Sequence, residues 1–102
     1  MAMDLQQLTE KLSSLVGSAP AIGAIVKFDF GSDGLLLLHG QEEPMTLSNE
    51  DSEADTTITC SLETIEGLIA GTVNPTTAVM MGKIKISGDM SKAMSLASLF
   101  KG

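Results

Sequence analysis

The stretch from Ile22 to Phe30 constrains the fold more than any other. In an extended chain Ile22, Ala24, Val26, Phe28 and Phe30 fall on one side, and Lys27 and Asp29 on the other. Gly31-Ser32-Asp33-Gly34 then supplies a strong turn signal. Leu35 to Leu38 follow as a short, wholly apolar run that ends at His39-Gly40. The pattern predicts a β-hairpin with one buried face. A hairpin of that kind needs a second layer, which the rest of the chain must provide.

Helical spacing supplies it. Asp4 can cap a helix in which Leu5, Leu8, Leu12, Leu15 and Val16 form one apolar stripe, ending at Gly17 and Pro20. Ser61 can cap a second helix from Leu62 to Ala70, closed by Gly71. Asn74 and Pro75 open a short third helix that runs to Gly82. Asp89 caps a last one. Between them, Met45-Thr46-Leu47 after Pro44 predicts a short third strand, Thr56 to Cys60 a fourth, and Lys83 to Ser87 a fifth with Ile84 and Ile86 inward. The expected architecture is α+β, one mixed sheet with helices on one face. At 102 residues the chain makes one domain, spanning 1–102.

The last helix is too apolar for an ordinary surface helix. Met90, Ala93, Met94, Leu96, Ala97, Leu99 and Phe100 leave a narrow polar strip of Ser91, Lys92, Ser95 and Ser98. Its apolar arc exceeds what one core contact needs, so a partner subunit, a membrane or a ligand must cover the surplus. The chain has seven Met, three Phe and neither Trp nor Tyr, so its interior is aliphatic and thioether, soft and adaptable. Met80, Met81, Met90 and Met94 cluster around that helix, as cavity-lining residues would.

Charge narrows the partners. Six Lys stand against thirteen acids, a net charge of −7, which makes nucleic acid a poor partner. The distribution is uneven. Residues 1–82 hold Lys11 and Lys27 against twelve acids, whereas residues 83–102 hold Lys83, Lys85, Lys92 and Lys101 against Asp89. That cationic fifth can pair with a carboxylate or phosphate head group, touch an anionic membrane, or simply solubilise. No apolar run approaches the ~20 residues of a membrane span. The start lacks a secretory signal, and a lone Cys suits a reducing compartment, so the cytoplasm is expected.

Catalytic and metal motifs fail one by one. Gly82-Lys83 resembles the end of a phosphate loop, but Ile84 follows it and Thr77 stands where the first Gly belongs. Asn49, Asp51, Glu53 and Asp55 alternate like calcium ligands, but Ala54 and Cys60 occupy the required Gly and Glu positions. One His and one Cys make a zinc site untenable. His39 has no nucleophile tied to it by motif, and Cys60 ends an alternating strand as a small buried hydrophobe. Neither a metal, a cofactor nor a catalytic activity is expected.

Ordered stretches in the second half narrow the reading further. Ala54-Asp55-Thr56-Thr57-Ile58-Thr59, Gly71-Thr72-Val73-Asn74-Pro75-Thr76-Thr77-Ala78, Gly82-Lys83-Ile84-Lys85-Ile86-Ser87-Gly88-Asp89, and Ala93-Met94 with Leu96 resemble the sterol carrier protein type 2 family of lipid-transfer domains. Where that family often carries bulky aromatics after Pro75, this chain has Val79, Met80 and Met81. The resemblance implies a five-stranded mixed sheet of order 3-2-1-4-5, covered on one face by helices, with an apolar tunnel between the layers. It implies fatty acid, fatty acyl-CoA, sterol or phospholipid as ligand.

On that basis the cavity lining is expected to comprise Leu12, Val26, Phe28, Val79, Met80, Ile86, Met90, Met94, Leu96 and Phe100, with Lys92 and Lys101 for a head group. The expected role is lipid binding and transfer, with transient membrane contact. The alternative is a non-catalytic accessory module that presents lipid or isoprenoid quinone to a partner enzyme, or that forms a homodimer.

Overall fold

In the computed structural model of the protein the described residues are 4–100, with side chains described through 96. Helix α1 (Leu5–Gly17) opens the chain and is followed by strands β1 (Ile25–Asp29), β2 (Leu35–His39), β3 (Thr46–Ser48) and β4 (Thr56–Thr59). Helices α2 (Leu62–Ala70) and α3 (Pro75–Met80), strand β5 (Lys85–Gly88) and helix α4 (Met90–Phe100) complete it. The strands form one five-stranded sheet of order β3-β2-β1-β4-β5. β1 and β4 pair in parallel, and the other three pairs described are antiparallel.

Register explains why one face is the core. Leu36, Phe28, Ile58 and Ile86 are successive cross-strand partners and form one row across the sheet. Leu47, Leu38, Val26 and Thr56 form the next row. Both rows point at the helices. Leu8, Leu12 and Val16 of α1, Ile65 and Leu68 of α2, Ala78 of α3, and Ala93 and Leu96 of α4 close over them in one cluster.

The connection from β3 to β4 crosses the other face. It must pass β2 and β1 to reach its place, and Lys27, which points away from the core, holds Asp51 of this segment at 2.7 Å. Asn49 donates to the Leu35 carbonyl at 3.0 Å. The crossing leaves Leu37, of opposite parity to its neighbours, 1% exposed.

Helix starts follow local side-chain chemistry. Asp4 and Gln7 form a reciprocal capping box on α1. Ser61 accepts from the Thr64 N–H, and Asn74 accepts from those of Thr76 and Thr77. Asp89 accepts from the N–H of Ser91 and Lys92 and from the Ser91 hydroxyl.

Several expected boundaries are corrected. The Gly31–Asp33 turn is a single 3₁₀ turn. Strand β3 starts at Thr46 and includes Ser48, and β4 stops at Thr59. Helix α3 ends at Met80, and β5 begins at Lys85 rather than Lys83. The reason is a competing acceptor, because the N–H groups of Lys83 and Ile84 both close onto the Ala78 carbonyl.

The junction of β4 with the start of α4 leaves no room for a side chain at Gly88. Gly88 has φ +99°, and a Cβ there would overlap the Asp55 carbonyl oxygen. Gly88→Ala should therefore lower the unfolding free energy by about 3 kcal/mol. Gly17→Ala, which meets nothing within 4 Å, should change it by less than about 1 kcal/mol. Urea unfolding monitored by circular dichroism measures both. A second prediction concerns acid. The Ser91 hydroxyl first, then the Lys92 N–H, hold the Asp89 carboxyl below the usual carboxylate range. A carboxyl held low stabilises the folded form above its unfolded value, and that contribution is lost as the pH falls through the depressed folded value. The Ser91 and Lys92 amide resonances should thus hold steady from neutral pH and lose their capped shifts only in acid.

Candidate functional site

An apolar cavity lies between the β4–β5 half of the sheet and helices α2, α3 and α4. Its floor is Phe28 and Ile58 from the central strands and Ile84 beside β5, all buried. Ile65 and Leu68 of α2 and Ala93 of α4 make the far wall, also buried. The rim is different. Pro75 and Val79 of α3 and Ile86 of β5 are half-exposed, and Met94 of α4 is 46% exposed. The cavity thus opens where α3, β5 and α4 meet.

Its volume is about 30 Å³. That is roughly the room one water takes in the liquid, whereas small-molecule pockets run to ~300–1,000 Å³. A long ligand enters only if a wall moves. Helix α3 is six residues long, the shortest of the four helices. Its main anchor is Ala78, buried, whose carbonyl accepts from Lys83 and Ile84.

The structure brings together only part of the lining expected from sequence. Phe28, Val79, Ile86 and Met94 line the cavity. Leu12, Val26 and Leu96 are fully buried in the core but do not line it. Met80 is 82% exposed and Met90 50%, both outside the lining. The side chain of Phe100, and Lys101, lie outside the described residues. Lys92 is half-buried beside the cavity-lining Ala93, and its Nζ donates to the Ile22 carbonyl at 3.2 Å.

Ile58, Ile65, Leu68, Pro75, Ile84 and Ala93 were not expected in the lining. Their signal was present, since Ile65 and Leu68 belong to the inner stripe of α2. What the stripe lacks is the half of the sheet it faces. Helix α1, from which Leu12 was chosen, packs against β3 and against α2 and α4, but none of its residues reaches the cavity.

Polar chemistry is sparse. Among the described residues no group of His, Cys, Asp and Glu could hold a metal ion. His39 Nε2 lies 2.9 Å from the Ser48 hydroxyl, on the opposite side of the sheet from the core rows. Burial pushes the Cys60 thiol up to about 12.

A helix-covered mixed sheet enclosing an apolar cavity is the class of fold this chain adopts. The chain belongs to the SCP-2 sterol transfer family, whose model matches residues 4–101. Sterol carrier protein 2 of Bos taurus is 45% identical over 53 residues, which is 52% of this chain and 10% of that protein. The chain therefore matches about a tenth of the length of that relative. The palmitated SCP2L2 of Aedes aegypti superposes with a TM-score of 0.75 at 20% identity, covering 98% of this chain and 96% of that one. A UbiJ-SCP2 ubiquinone synthesis protein superposes with a TM-score of 0.75 at 15% identity, covering 94% and 91%. No described helix is long and apolar enough to cross a membrane.

The Cys60 thiol gives a direct probe of this interior. Protonated and buried, it should react with a thiol reagent at pH 8 about a hundredfold more slowly in the native protein than in denaturant. Absorbance of the released chromophore measures the two rates.

Proposed function

We propose that residues 1–102 form a single lipid-binding domain that carries a fatty acid, fatty acyl-CoA or similar chain in the cavity under α2, α3 and α4, without catalysis, in the cytoplasm. The observation that carries the reading is the cavity's construction. Its floor and far wall are wholly apolar and buried, while its rim is half-exposed. The Aedes protein of the same fold is palmitated, which supports an acyl chain as ligand here.

The energetics agree. Each buried methylene is worth ~0.8 kcal/mol, so a sixteen-carbon chain gains up to ~12 kcal/mol. Lost freedom and wall displacement offset several kcal/mol of that. In this reading the wall that moves is α3, the shortest helix, whose Pro75 and Val79 stand at the half-exposed rim. The thioether of Met94 at the rim adapts to different chain shapes. Lys92 is the head-group residue in this reading. A carboxylate is a stronger acceptor than the Ile22 carbonyl that Lys92 now holds.

A second reading follows from the UbiJ-SCP2 neighbour, named for ubiquinone synthesis. There the same cavity would present an isoprenoid quinone to a partner enzyme.

Native mass spectrometry with palmitate, hexadecanol and a quinone tests both. A one-to-one palmitate adduct supports the carrier. A quinone adduct alone moves the assignment to the accessory module, and no adduct with any of the three sinks both. Ile86→Glu, which places a carboxylate on the half-exposed rim, should weaken palmitate at least tenfold, or about 1.4 kcal/mol. Lys92→Gln should weaken palmitate but spare hexadecanol. Equal loss of both would remove Lys92 from the head-group role.

A further inference from the structure

We infer that Met94 is a site of reversible oxidation by hydroperoxide, and that its sulfoxide lowers the affinity of the cavity for an acyl chain. The second half of this inference rests on the carrier reading; the first half does not. Among the described residues the large apolar side chains left exposed are all methionines: Met80, Met81, Met90 and Met94. No described Leu, Ile or Phe joins them. An apolar surface does not by itself call for sulfur. A thioether is the apolar side chain that a hydroperoxide turns polar and that enzymatic reduction restores.

Position separates Met94 from the other methionines. It lines the cavity rim while 46% exposed, so an oxidant arrives from solvent and the product stands where a ligand enters. Met80, Met81 and Met90 are exposed but outside the lining, so they oxidise without altering it. Met45, 2% exposed, is packed into the core and shielded. Cys60 does not compete. It is buried, and with its thiol pushed up to about 12 it stays protonated, whereas the thiolate is the form that reacts. A thioether needs no deprotonation.

The chemistry balances with the hydroperoxide as oxidant. A sulfur lone pair attacks the outer peroxide oxygen, and the S–O bond forms as the O–O bond breaks. Sulfur gives up two electrons. The proton on the transferred oxygen passes to the departing one, which leaves as water or an alcohol. The cavity has no use for the new oxygen, because none of the side chains lining it carries an N–H or O–H. Turned inward, the sulfoxide is an acceptor without a side-chain donor. Turned outward, it keeps its water and the fold is retained, but the mouth loses apolar surface. An acyl chain loses contact in both positions.

The test treats the protein with hydrogen peroxide, maps oxidised residues by peptide mass spectrometry, and titrates palmitate by native mass spectrometry. Met94 should gain oxygen at least tenfold faster than Met45. Palmitate should then bind about tenfold more weakly. Methionine sulfoxide reductases of both stereospecificities should together restore it. Met94→Leu, whatever its own affinity, should lose nothing further on treatment. The triple variant Met80→Leu, Met81→Leu, Met90→Leu should respond to peroxide as the parent does. The proposal is overturned if Met94 oxidises no faster than Met45, or if the oxidised parent binds palmitate as tightly as before. It is also overturned if Met94→Leu loses affinity as the parent does, if the reductases restore nothing, or if treatment abolishes the native circular dichroism. A protein that takes no palmitate before treatment would overturn the carrier reading and the affinity effect with it. The oxidation site would then stand or fall on the mapped rates. Palmitate binding that peroxide leaves unchanged would do the reverse.

Discussion

Asp55 and Thr56 hold the sheet and the last helix together, and the cavity depends on that bond pattern. The Asp55 backbone donates to the Ile25 carbonyl at 2.9 Å, and its carboxylate accepts from the Ile25 N–H at 2.8 Å. Its carbonyl accepts from the Asp89 N–H at 3.1 Å. The Thr56 hydroxyl, buried, donates to the Asp89 carbonyl at 2.7 Å. β1, β4 and the start of α4 are thereby fixed to one another within two residues. A buried hydroxyl left without its acceptor is costly, about 1–3 kcal/mol, so α4 has one place to begin. Ala93 and Met94 reach the cavity from there, one turn further on. The stretches around Asp55-Thr56 and Gly88-Asp89, which resemble the family in sequence, are each other's partners in space.

The opposite wall is built on the contrary principle. α3 rests on buried Ala78, on Val79 packed against the core and on the two backbone bonds to the Ala78 carbonyl, and Asn74 caps it locally. The cavity between the two walls has a volume of about 30 Å³. Opening it in water would expose Ile65, Leu68 and Phe28 to solvent, at a cost in proportion to the apolar area uncovered.

Much of this was legible in the residues. The alternation of Ala24, Val26, Phe28 and Phe30 fixed which face of β1 is buried, and Asp4, Ser61 and Asn74 marked helix starts that the structure places at the same residues. Boundaries slipped where one carbonyl took donors that a strand pattern had claimed, as Ala78 does with Lys83 and Ile84. The cavity was half legible for a different reason. Periodicity says that a side chain is turned inward, and it does so equally for Leu12 and Ile65. It does not say which half of a sheet lies beneath. That depends on the strand order, in which β4 and β5 are placed beyond β1 and the α2–α3 connection returns over them. The apolar arc of α4 divides: Ala93 and Leu96 are buried, Met94 lines the cavity while half exposed, and Met90 stands outside it, exposed.

Those two uses of α4 are linked through the mouth they share. The cavity's free-energy penalty for opening comes from water meeting its apolar floor, and it vanishes when the mouth faces hydrocarbon or an acyl chain instead. The exposed thioethers of Met80, Met90 and Met94 at and beside that mouth have no fixed pocket to fill and adapt to whatever meets them. What opposes opening is therefore the medium at the mouth and the contacts of α3 together, not a polar lock inside the cavity.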